Sequence, residues 1–306
     1  MELGTRLFRS ILLTLAGNRA VEAAALRYGL QLGAARFVAG VTLEEAMLRV
    51  ADLEAKGISV TLDHLGEGVR TVQESESFME EYLRMVDRLA AGAADVNVSL
   101  KPTQMGLALD EETTCTYIRQ IVRRAEDQQG FVCLDMENSP YTDATLRMVR
   151  RLRAEGLNGV GTVVQACMRR SLHDVDRLTR ERVPLRLVKG AYKEPKPLVL
   201  ARKQEVDENF IRLIGIRLSS GVFTSIATHD ERIIRAAQKL VRRLQVPPDR
   251  FEFQMLYGVA SPLQERLVQE GYKVRCYVPY GRKWYPYFVR RLAERPANLW
   301  FVIKNW

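Results

Sequence analysis

Two adjacent arginines, Arg290 and Arg291, lie near the end of the sequence in the amphipathic stretch YFVRRLAERPAN (287–298). A guanidinium group binds a carboxylate through two parallel hydrogen bonds, so paired arginines on one helix can hold a carboxylic acid. On a helix the two side chains point about 100° apart, and Glu294 follows Arg290 by four residues. That spacing also suits a solvated, salt-bridged helix face, which is the more typical role of such a pair taken alone.

Polar side chains also recur at the C-terminal ends of the predicted strands, where each can either perform chemistry or simply cap a turn. They comprise Asp63 to Glu67, Lys101, Asp135, Glu137, Gln165, Lys189 to Tyr192, Thr228, His229, Asp230, Gln254, Tyr257, Tyr277 and Tyr280. Any one of them is more often structural. A contribution from every strand end, however, favours a functional site.

The kind of chemistry follows from which groups are present and which are missing. The sequence has no nucleophile elbow, no Walker loop and no pair of histidines at metal spacing. A metal site is therefore not predicted, and the difficult chemistry is expected to fall to an organic cofactor. The cations Lys101, Arg186, Lys189, Arg290 and Arg291 suit a cofactor with phosphates and a hydrogen-bonding ring, and a substrate with a carboxylate.

Short β-branched runs alternate with longer helical stretches from about residue 57 onward. The candidate strands are 58–65, 95–100, 131–136, 160–166, 184–190, 222–228, 251–256 and 272–279. Strictly alternating strands and helices imply parallel strands, and eight such units in about 250 residues is the size at which a parallel sheet closes. The sequence therefore predicts an α/β fold, a (β/α)8 barrel. An open doubly wound sheet is the alternative, but it would normally carry a Gly-rich first turn, which these strands lack.

Bulk composition bounds the class of protein. The 306 residues are 47% hydrophobic, which suits one α/β barrel with an added segment. The net charge of +9 is spread along the chain, so nucleic acid is not expected, and an anionic membrane surface or an acidic substrate is only slightly favoured. The four cysteines form no C-x-x-C pair and are interpreted as reduced core thiols of a cytosolic protein. No apolar run reaches the roughly 18 residues of a spanning helix.

Two segments are predicted along the chain. Residues 1–56 are expected to form added N-terminal helices, and residues 57–306 the catalytic barrel. The basic opening MELGTRLFRSILLTLAGNRA (1–20) has an apolar middle but no small-residue cleavage signal, so it is interpreted as a helix of the mature protein. Both an ordinary packed helix and a helix that binds a membrane surface remain open for it.

Eight runs of this sequence resemble, in the same order, the proline dehydrogenase family, the flavoenzymes of proline catabolism. They are LDHLGE (62–67), LKPTQMG (100–106), LDMEN (134–138), VVQACMRRS (163–171), LRLVKGAY (185–192), ATHD (227–230), FEFQMLYGV (251–259) and YVPYGRKWYPYFVRRLAERPAN (277–298). The last run is the most specific, and the length is similar to that of the monofunctional bacterial form. Pro102, Thr103 and Cys167 depart from the pattern of many relatives, which puts only local packing in doubt.

The resemblance implies a distorted TIM-like barrel whose final helix caps the barrel mouth instead of lying beside it. It assigns Arg290 and Arg291 to the substrate carboxylate, with Lys101 as a third positive group. Glu294 would orient an arginine, and Glu67 would close the pocket by pairing with the first arginine. Under this resemblance the paired arginines change from a solvated surface to substrate ligands.

The resemblance also implies how the substrate ring is held. Asp135 is expected to be hydrogen-bonded near Lys101 and Tyr277, and Tyr277 is expected to pack against the proline ring. Relatives that prefer hydroxyproline carry a smaller residue in place of this tyrosine, so Tyr277 favours proline itself. Leu187 and Tyr192 would complete an apolar wall around a small pocket.

The cofactor implied by the resemblance is FAD, held at the strand ends. Its contacts are expected from Gln165, Arg186, Val188, Lys189, Gly190, Ala191, Thr228, His229 and Gln254, with Arg186 near the reactive flavin nitrogen. The implied reaction is hydride transfer from the proline carbon next to nitrogen, which gives Δ1-pyrroline-5-carboxylate, the first step of proline catabolism. Electrons would then pass to a membrane quinone, so a cytoplasmic protein with a peripheral contact to the cell membrane is expected.

Two other functions remain as alternatives at this point. A barrel lyase or aldolase would use Lys189, at a strand end, as the Schiff-base amine. A non-catalytic basic scaffold would bind an acidic metabolite or a lipid surface. The sequence does not predict the oligomeric state.

Overall fold

The computed structural model describes residues 34–66, 68–92 and 94–294, with residues 292–294 described through their backbone only. Its centre is a closed barrel of eight parallel strands that follow one another around the barrel in chain order. The strands are β1 (Ser59–His64), β2 (Asn97–Leu100), β3 (Phe131–Leu134), β4 (Val160–Gln165), β5 (Leu185–Val188), β6 (Thr224–Ala227), β7 (Phe251–Leu256) and β8 (Val274–Tyr280). Each overlaps a predicted strand, so the predicted barrel is confirmed and the open sheet is excluded.

Nine α-helices belong to the described residues. They are α1 (Leu43–Glu54), α2 (Val72–Ala91), α3 (Glu111–Glu126), α4 (Ser139–Ala154), α5 (Ser171–Arg180), α6 (Lys203–Ser220), α7 (Glu231–Leu244), α8 (Ser261–Gln269) and α9 (Tyr285–Glu294). Side-chain oxygens cap several first turns: Thr71 accepts from the Glu74 N–H at 3.2 Å, and Asp110 accepts from the Thr113 N–H at 2.6 Å. Such caps satisfy backbone donors that a helix leaves unpaired at its start.

The main hydrophobic core lies between the strands and the surrounding helices, whereas the barrel interior is polar. Strand side chains alternate in direction, so on β7 Phe251 and Phe253 pack with Tyr272 while Glu252 and Gln254 face the interior. Ser99, Arg186, Glu252, Gln254 and Arg275 are all buried. Buried charges are tolerated only when they are paired and hydrogen-bonded, so this interior requires a connected set of partners.

The barrel is least regular between β1 and β2. Strand β1 has six register pairs with β8 but only one, Leu62 with Val98, with β2. Tyr82 of α2 compensates, because its hydroxyl donates to the Ser99 carbonyl at 2.8 Å and accepts from the His64 N–H at 3.3 Å. The Gln104 amide adds bonds to the carbonyls of His64 at 2.7 Å and Gly66 at 2.9 Å. Side chains thus replace the missing ladder, which fits the expected distortion.

Helix α9 lies at the C-terminal end of the barrel. Its buried residues Tyr285, Tyr287, Phe288 and Val289 form a second apolar cluster with Trp284, Leu65 and residues 34, 37 and 38, and the partly buried Val259 packs on it. Leu65 follows β1, Val259 follows β7 and Trp284 follows β8. The helix therefore covers strand ends, as expected of a final helix at the barrel mouth.

Residues 1–33, which include the basic opening segment, lie outside the described residues, as do residues 295–306. The division into residues 1–56 and 57–306 therefore stays a prediction, although α1 confirms a helix directly before the first strand. In the part of the chain that the structure describes, every helix is too short or too polar to cross a bilayer.

Candidate active site

The ammonium group of Lys101, directly after β2, is buried beside Asp63 of β1. Nζ lies 3.2 Å from each oxygen of the Asp63 carboxylate, and both side chains are almost completely buried. Burial alone would lower the pKa of Lys101, but the negative charges of Asp63 and Asp135 outweigh it, so the pKa is raised. Lys101 is therefore a fixed positive charge at the barrel mouth and not a proton acceptor.

Asp135, directly after β3, joins three interior side chains, and we call Ser99, Asp135, Arg186 and Tyr277 the Asp135 cluster. One carboxylate oxygen accepts from Arg186 Nη1 at 2.6 Å and from Ser99 Oγ at 3.0 Å. The other accepts from the Tyr277 hydroxyl at 2.8 Å. The four residues come from or follow β2, β3, β5 and β8, so the cluster crosses the barrel interior.

Tyr277 donates its proton within this cluster. Burial, followed by the charge of Asp135, raises the pKa of its hydroxyl well above the ordinary value. The Arg186 guanidinium carbon lies 5.4 Å from the centre of the Tyr277 ring, within the range of a cation–π contact. The tyrosine is thus neutral, and its ring is oriented by Asp135 at the hydroxyl and by Arg186 at the ring face.

Arg186 has a third partner on β7. Its Nε donates to Gln254 Oε1 at 2.5 Å, while Nη1 also donates to Ser99 Oγ at 2.8 Å. With Asp135, these partners hold the guanidinium plane in one orientation. A preoriented cation of this kind can stabilise negative charge that develops on a ring placed beside it.

Lys189, at the end of β5, is held by two carboxylates. Nζ lies 2.6 Å from Asp207 of α6 and 2.8 Å from Asp230, the residue before α7. A Schiff-base lysine must be free to attack a substrate carbonyl, but Nζ of Lys189 is held in these two ion pairs. The geometry therefore counts against the lyase alternative.

His229 follows β6 and is oriented by a backbone hydrogen bond. Its Nε2 accepts a hydrogen bond from the Leu256 N–H at 2.9 Å, so that nitrogen carries no proton and Nδ1 carries it. Thr228 beside it is buried, and its hydroxyl accepts from the Asp230 N–H at 3.1 Å. Both residues thus lie at the strand-end site with defined hydrogen-bonding roles.

The segment after β5 approaches the end of β4 closely. Gly190 has a φ of +115°, and a Cβ there would collide with the Cys167 sulfur, so the position accepts only glycine. Gly190 and Ala191 are exposed and Val188 is half-buried. Gln165 is buried and donates to the Glu137 carbonyl at 3.0 Å. The backbone at Gly190 and Ala191 is therefore open to solvent, and the buried side-chain amide of Gln165 belongs to the neighbouring strand β4.

Arg290 and Arg291 are both half-buried on α9. The Arg291 guanidinium carbon lies 5.1 Å from the centre of the Tyr287 ring, one turn earlier on the same helix. Glu67 lies outside the described residues, and so does the side chain of Glu294. The arginines are at the correct end of the barrel, while their expected pairing with these glutamates stays a prediction.

Leu187 and Tyr192 occupy different environments. Leu187 is completely buried in the main core, and because strand side chains alternate it lies on the face of β5 opposite to Arg186. Its place in an apolar substrate wall is therefore not evident and stays a prediction. Tyr192 is half-buried in the segment after β5, and its role in the substrate wall stays a prediction.

Sequence reasoning gave no role to several interior residues that the structure brings into the site. Asp63 pairs with Lys101, Ser99 bonds to Asp135, and Glu252 bonds to Gln254 at 2.6 Å. The alternation of β2 and β7 predicts that Ser99 and Glu252 face inward, but only strand register shows their partners. Within the described ranges, no group of three or more His, Cys, Asp or Glu side chains is arranged to hold a metal ion.

A closed parallel barrel with its charged side chains gathered at the C-terminal strand ends defines the class of (β/α)8-barrel enzymes. A family model described as "Proline dehydrogenase" matches residues 46–304. The chain belongs to the proline dehydrogenase family and is an oxidoreductase that acts on proline.

Individual relatives agree. The chain is 41% identical over 304 residues to "Proline dehydrogenase" of Deinococcus radiodurans, covering 98% of each chain. It is 40% identical over 299 residues to "Proline dehydrogenase 1" of Bacillus subtilis subsp. natto, covering 98% of this chain and 99% of the relative. Its fold matches a crystal structure of proline utilization A (PutA) from Bdellovibrio bacteriovorus inactivated by N-propargylglycine, with a TM-score of 0.82 and 28% identity. That match covers 90% of this chain and 34% of the longer PutA chain.

Proposed function

We propose that the protein oxidises L-proline with bound FAD, forms Δ1-pyrroline-5-carboxylate and passes the electrons to a membrane quinone. The observation that carries the proposal is the Asp135 cluster, in which Arg186 is held by Asp135, Ser99 and Gln254 beside the Tyr277 ring. Such a fixed cation at the barrel mouth suits a redox ring that gains negative charge on reduction.

The residues present fit a flavin cofactor. The exposed Gly190, where a side chain would collide with Cys167, leaves backbone open to a ligand. Gln165, Arg186, Lys189, His229 and Gln254 supply amide, cationic and imidazole groups around the ends of β4 to β7. These residues, with Val188, Ala191 and Thr228, would hold FAD. When bound, FAD supplies the acceptor for the hydride of proline.

The substrate carboxylate requires cations, because burying an anion without paired donors is costly. Lys101 supplies a permanent positive charge, since the carboxylates around it raise its pKa. Arg290 and Arg291 would supply two planar donor groups from α9, the helix that covers the strand ends. The ring of Tyr277, fixed by Asp135 at 2.8 Å, would give the pyrrolidine ring a flat surface to lie against. Together these groups orient the substrate carbon for oxidation.

Contact with the membrane follows from the quinone. The excess of 46 basic over 37 acidic residues favours an anionic lipid surface. The basic segment 1–20 is the proposed point of contact, and a cytoplasmic protein peripheral to the cell membrane is the proposed location. Sedimentation with vesicles of anionic and of zwitterionic lipid tests the membrane contact. A protein that binds neither kind of vesicle would overturn it.

The chemistry is tested on the purified protein. Heat should release a cofactor with the mass of FAD, and incubation with L-proline and a quinone analogue should give a product that o-aminobenzaldehyde traps as a cyclic-imine adduct. Release of FMN or of no flavin would refute the cofactor, and absence of the adduct would refute the product.

A further inference from the structure

Glu252 of β7 is a buried carboxylate nearer the N-terminal end of the barrel than the strand-end site. Its Oε1 accepts from Gln254 Nε2 at 2.6 Å, Ser225 Oγ at 3.0 Å and Arg275 Nε at 3.0 Å. Only 3% of the residue surface is exposed. Burying a carboxylate this deeply costs free energy unless hydrogen bonds compensate, and these three donors supply them. A residue that only filled space would not need a charge.

Gln254 lies between this carboxylate and Arg186. Its Nε2 faces Glu252, while its Oε1 accepts from Arg186 Nε at 2.5 Å. An ionised carboxylate can only accept hydrogen bonds and a guanidinium can only donate them. Of the two amide orientations of Gln254, therefore, only one satisfies both neighbours, and the charge of Glu252 selects it. The reverse orientation would direct the amide N–H groups at the guanidinium.

Packing alone does not hold these side chains. Arg186, Glu252, Gln254 and Arg275 line a cavity of about 190 Å³ at the N-terminal side of the barrel interior. Side chains beside such a space can turn, because close contacts are missing on one side. The hydrogen bonds must therefore keep Arg186 in its observed direction.

We infer that Glu252 is a positioning residue for proline oxidation, which acts through the Gln254 amide to set the direction of the Arg186 guanidinium. The inference rests on the proposed function, since the direction of Arg186 matters to the reaction only with a flavin at the strand ends. In this role Glu252 acts through Gln254 and not by direct contact with substrate or cofactor.

Asp95 provides a matched control for Glu252. Arg275 bonds to both carboxylates, to Glu252 at 3.0 Å and to Asp95 at 2.7 Å. E252Q and D95N thus each remove one of the two acidic partners of Arg275. Gln254 contacts Glu252 and not Asp95 among its hydrogen bonds in the described residues. A difference between the two variants therefore reports on the Gln254 link.

The test compares wild type, E252Q, D95N, Q254A and the double variant E252Q/Q254A. Steady-state kinetics with L-proline give kcat and KM, and redox titration gives the midpoint potential of the bound flavin. E252Q should lower kcat at least tenfold with KM within twofold, and it should lower the flavin potential, while D95N stays within twofold of wild type. Q254A should have a similar effect, and the double variant should add nothing further, since both changes break one link.

Different results would refute the positioning role of Glu252 and the proposed flavin-dependent function. Equal effects of E252Q and D95N, or losses in E252Q and Q254A that multiply in the double variant, would overturn the positioning role. A wild-type protein that carries no flavin would overturn both. If E252Q does not fold, Glu252→Asp carries the test, because it keeps a negative charge in the barrel interior while the carboxylate is withdrawn by one methylene from Gln254. It should then show the same fall in kcat and potential in a folded protein with the flavin content of wild type.

Discussion

Replacement of Asp135 by Asn is expected to weaken both the fold and proline oxidation, because one carboxylate accepts from three donors. Those donors are Arg186 at 2.6 Å, Tyr277 at 2.8 Å and Ser99 at 3.0 Å. Asn keeps the shape and one acceptor oxygen, but its NH2 group cannot accept from Tyr277. It also leaves the buried Arg186 without its nearest negative charge.

The magnitude follows from the burial of the pair. Removing one partner of a buried ion pair costs about 3–5 kcal/mol. The Asp135 side chain is 14% exposed and that of Arg186 6%, so the lower end, about 3 kcal/mol, applies. With an unfolding entropy of about 2.1 cal/mol/K per residue over 306 residues, that lowers the Tm by about 5 °C. Ser99→Ala is the matched control, since it removes the longest bond to the same carboxylate and the bond from Arg186 Nη1 but keeps the ion pair, at about 1–2 kcal/mol or about 2–3 °C.

The assay combines thermal unfolding at matched flavin content with steady-state kinetics on L-proline. D135N should lose kcat by about 10–100-fold, which corresponds to about 1.4–2.8 kcal/mol of transition-state stabilisation, because Arg186 and Tyr277 both lose their orienting partner. S99A should stay within about threefold, a loss below about 0.7 kcal/mol. A D135N protein that matches S99A in Tm and in kcat would refute the reasoning, because the carboxylate would then not hold the cluster together.

Further outcomes are expected elsewhere in the molecule. R290K and R291K should each raise the KM for proline by about 10–100-fold at unchanged flavin content, because lysine keeps the charge but loses the two-pronged donor. An unchanged KM would contradict the assignment of these arginines to the substrate carboxylate. The raised pKa of Lys101 means that its ion pair stabilises the fold fully below the lysine pKa of the unfolded chain, about 10.4, and is lost only above it. The difference in unfolding free energy between wild type and K101M should therefore be constant from about pH 6 to about pH 9. A fall of this difference within that window would contradict the raised pKa of Lys101. Burial raises the pKa of Cys133 and Cys276 to about 12 and of Cys167 to about 11, so a thiol reagent at neutral pH should label these cysteines quickly only after unfolding.

The barrel itself was predictable because its evidence is local. Each strand is a short β-branched run, and helices α1, α2, α3 and α7 begin after a Thr or Asp, such as Thr71 or Asp110, whose side chain caps the first turn. Alternation of the two then leaves few topologies. The positions at strand ends follow from the barrel, so Lys101, Asp135, Gln165 and Lys189 could be nominated from sequence.

The contacts between them could not be predicted, because they depend on which strands face each other across the barrel and at what stagger. Asp135 meets Tyr277, 142 positions later in the chain, only through the registers of the intervening strands. Lys101 meets Asp63 between β1 and β2, which pair at a single position, an irregularity without a sequence pattern. Glu252 was passed over since it precedes the strand end, where chemistry is expected.

The central claim is that the strand-end site binds a flavin that L-proline reduces, and anaerobic visible spectroscopy tests it most directly. The purified protein should be yellow, with oxidised flavin bands that L-proline bleaches within one turnover and that a quinone analogue restores. D135N, with equal flavin content, should bleach more slowly by the same factor as its loss of kcat. A protein whose flavin bands stay unchanged with L-proline, or a colourless protein, would contradict the account.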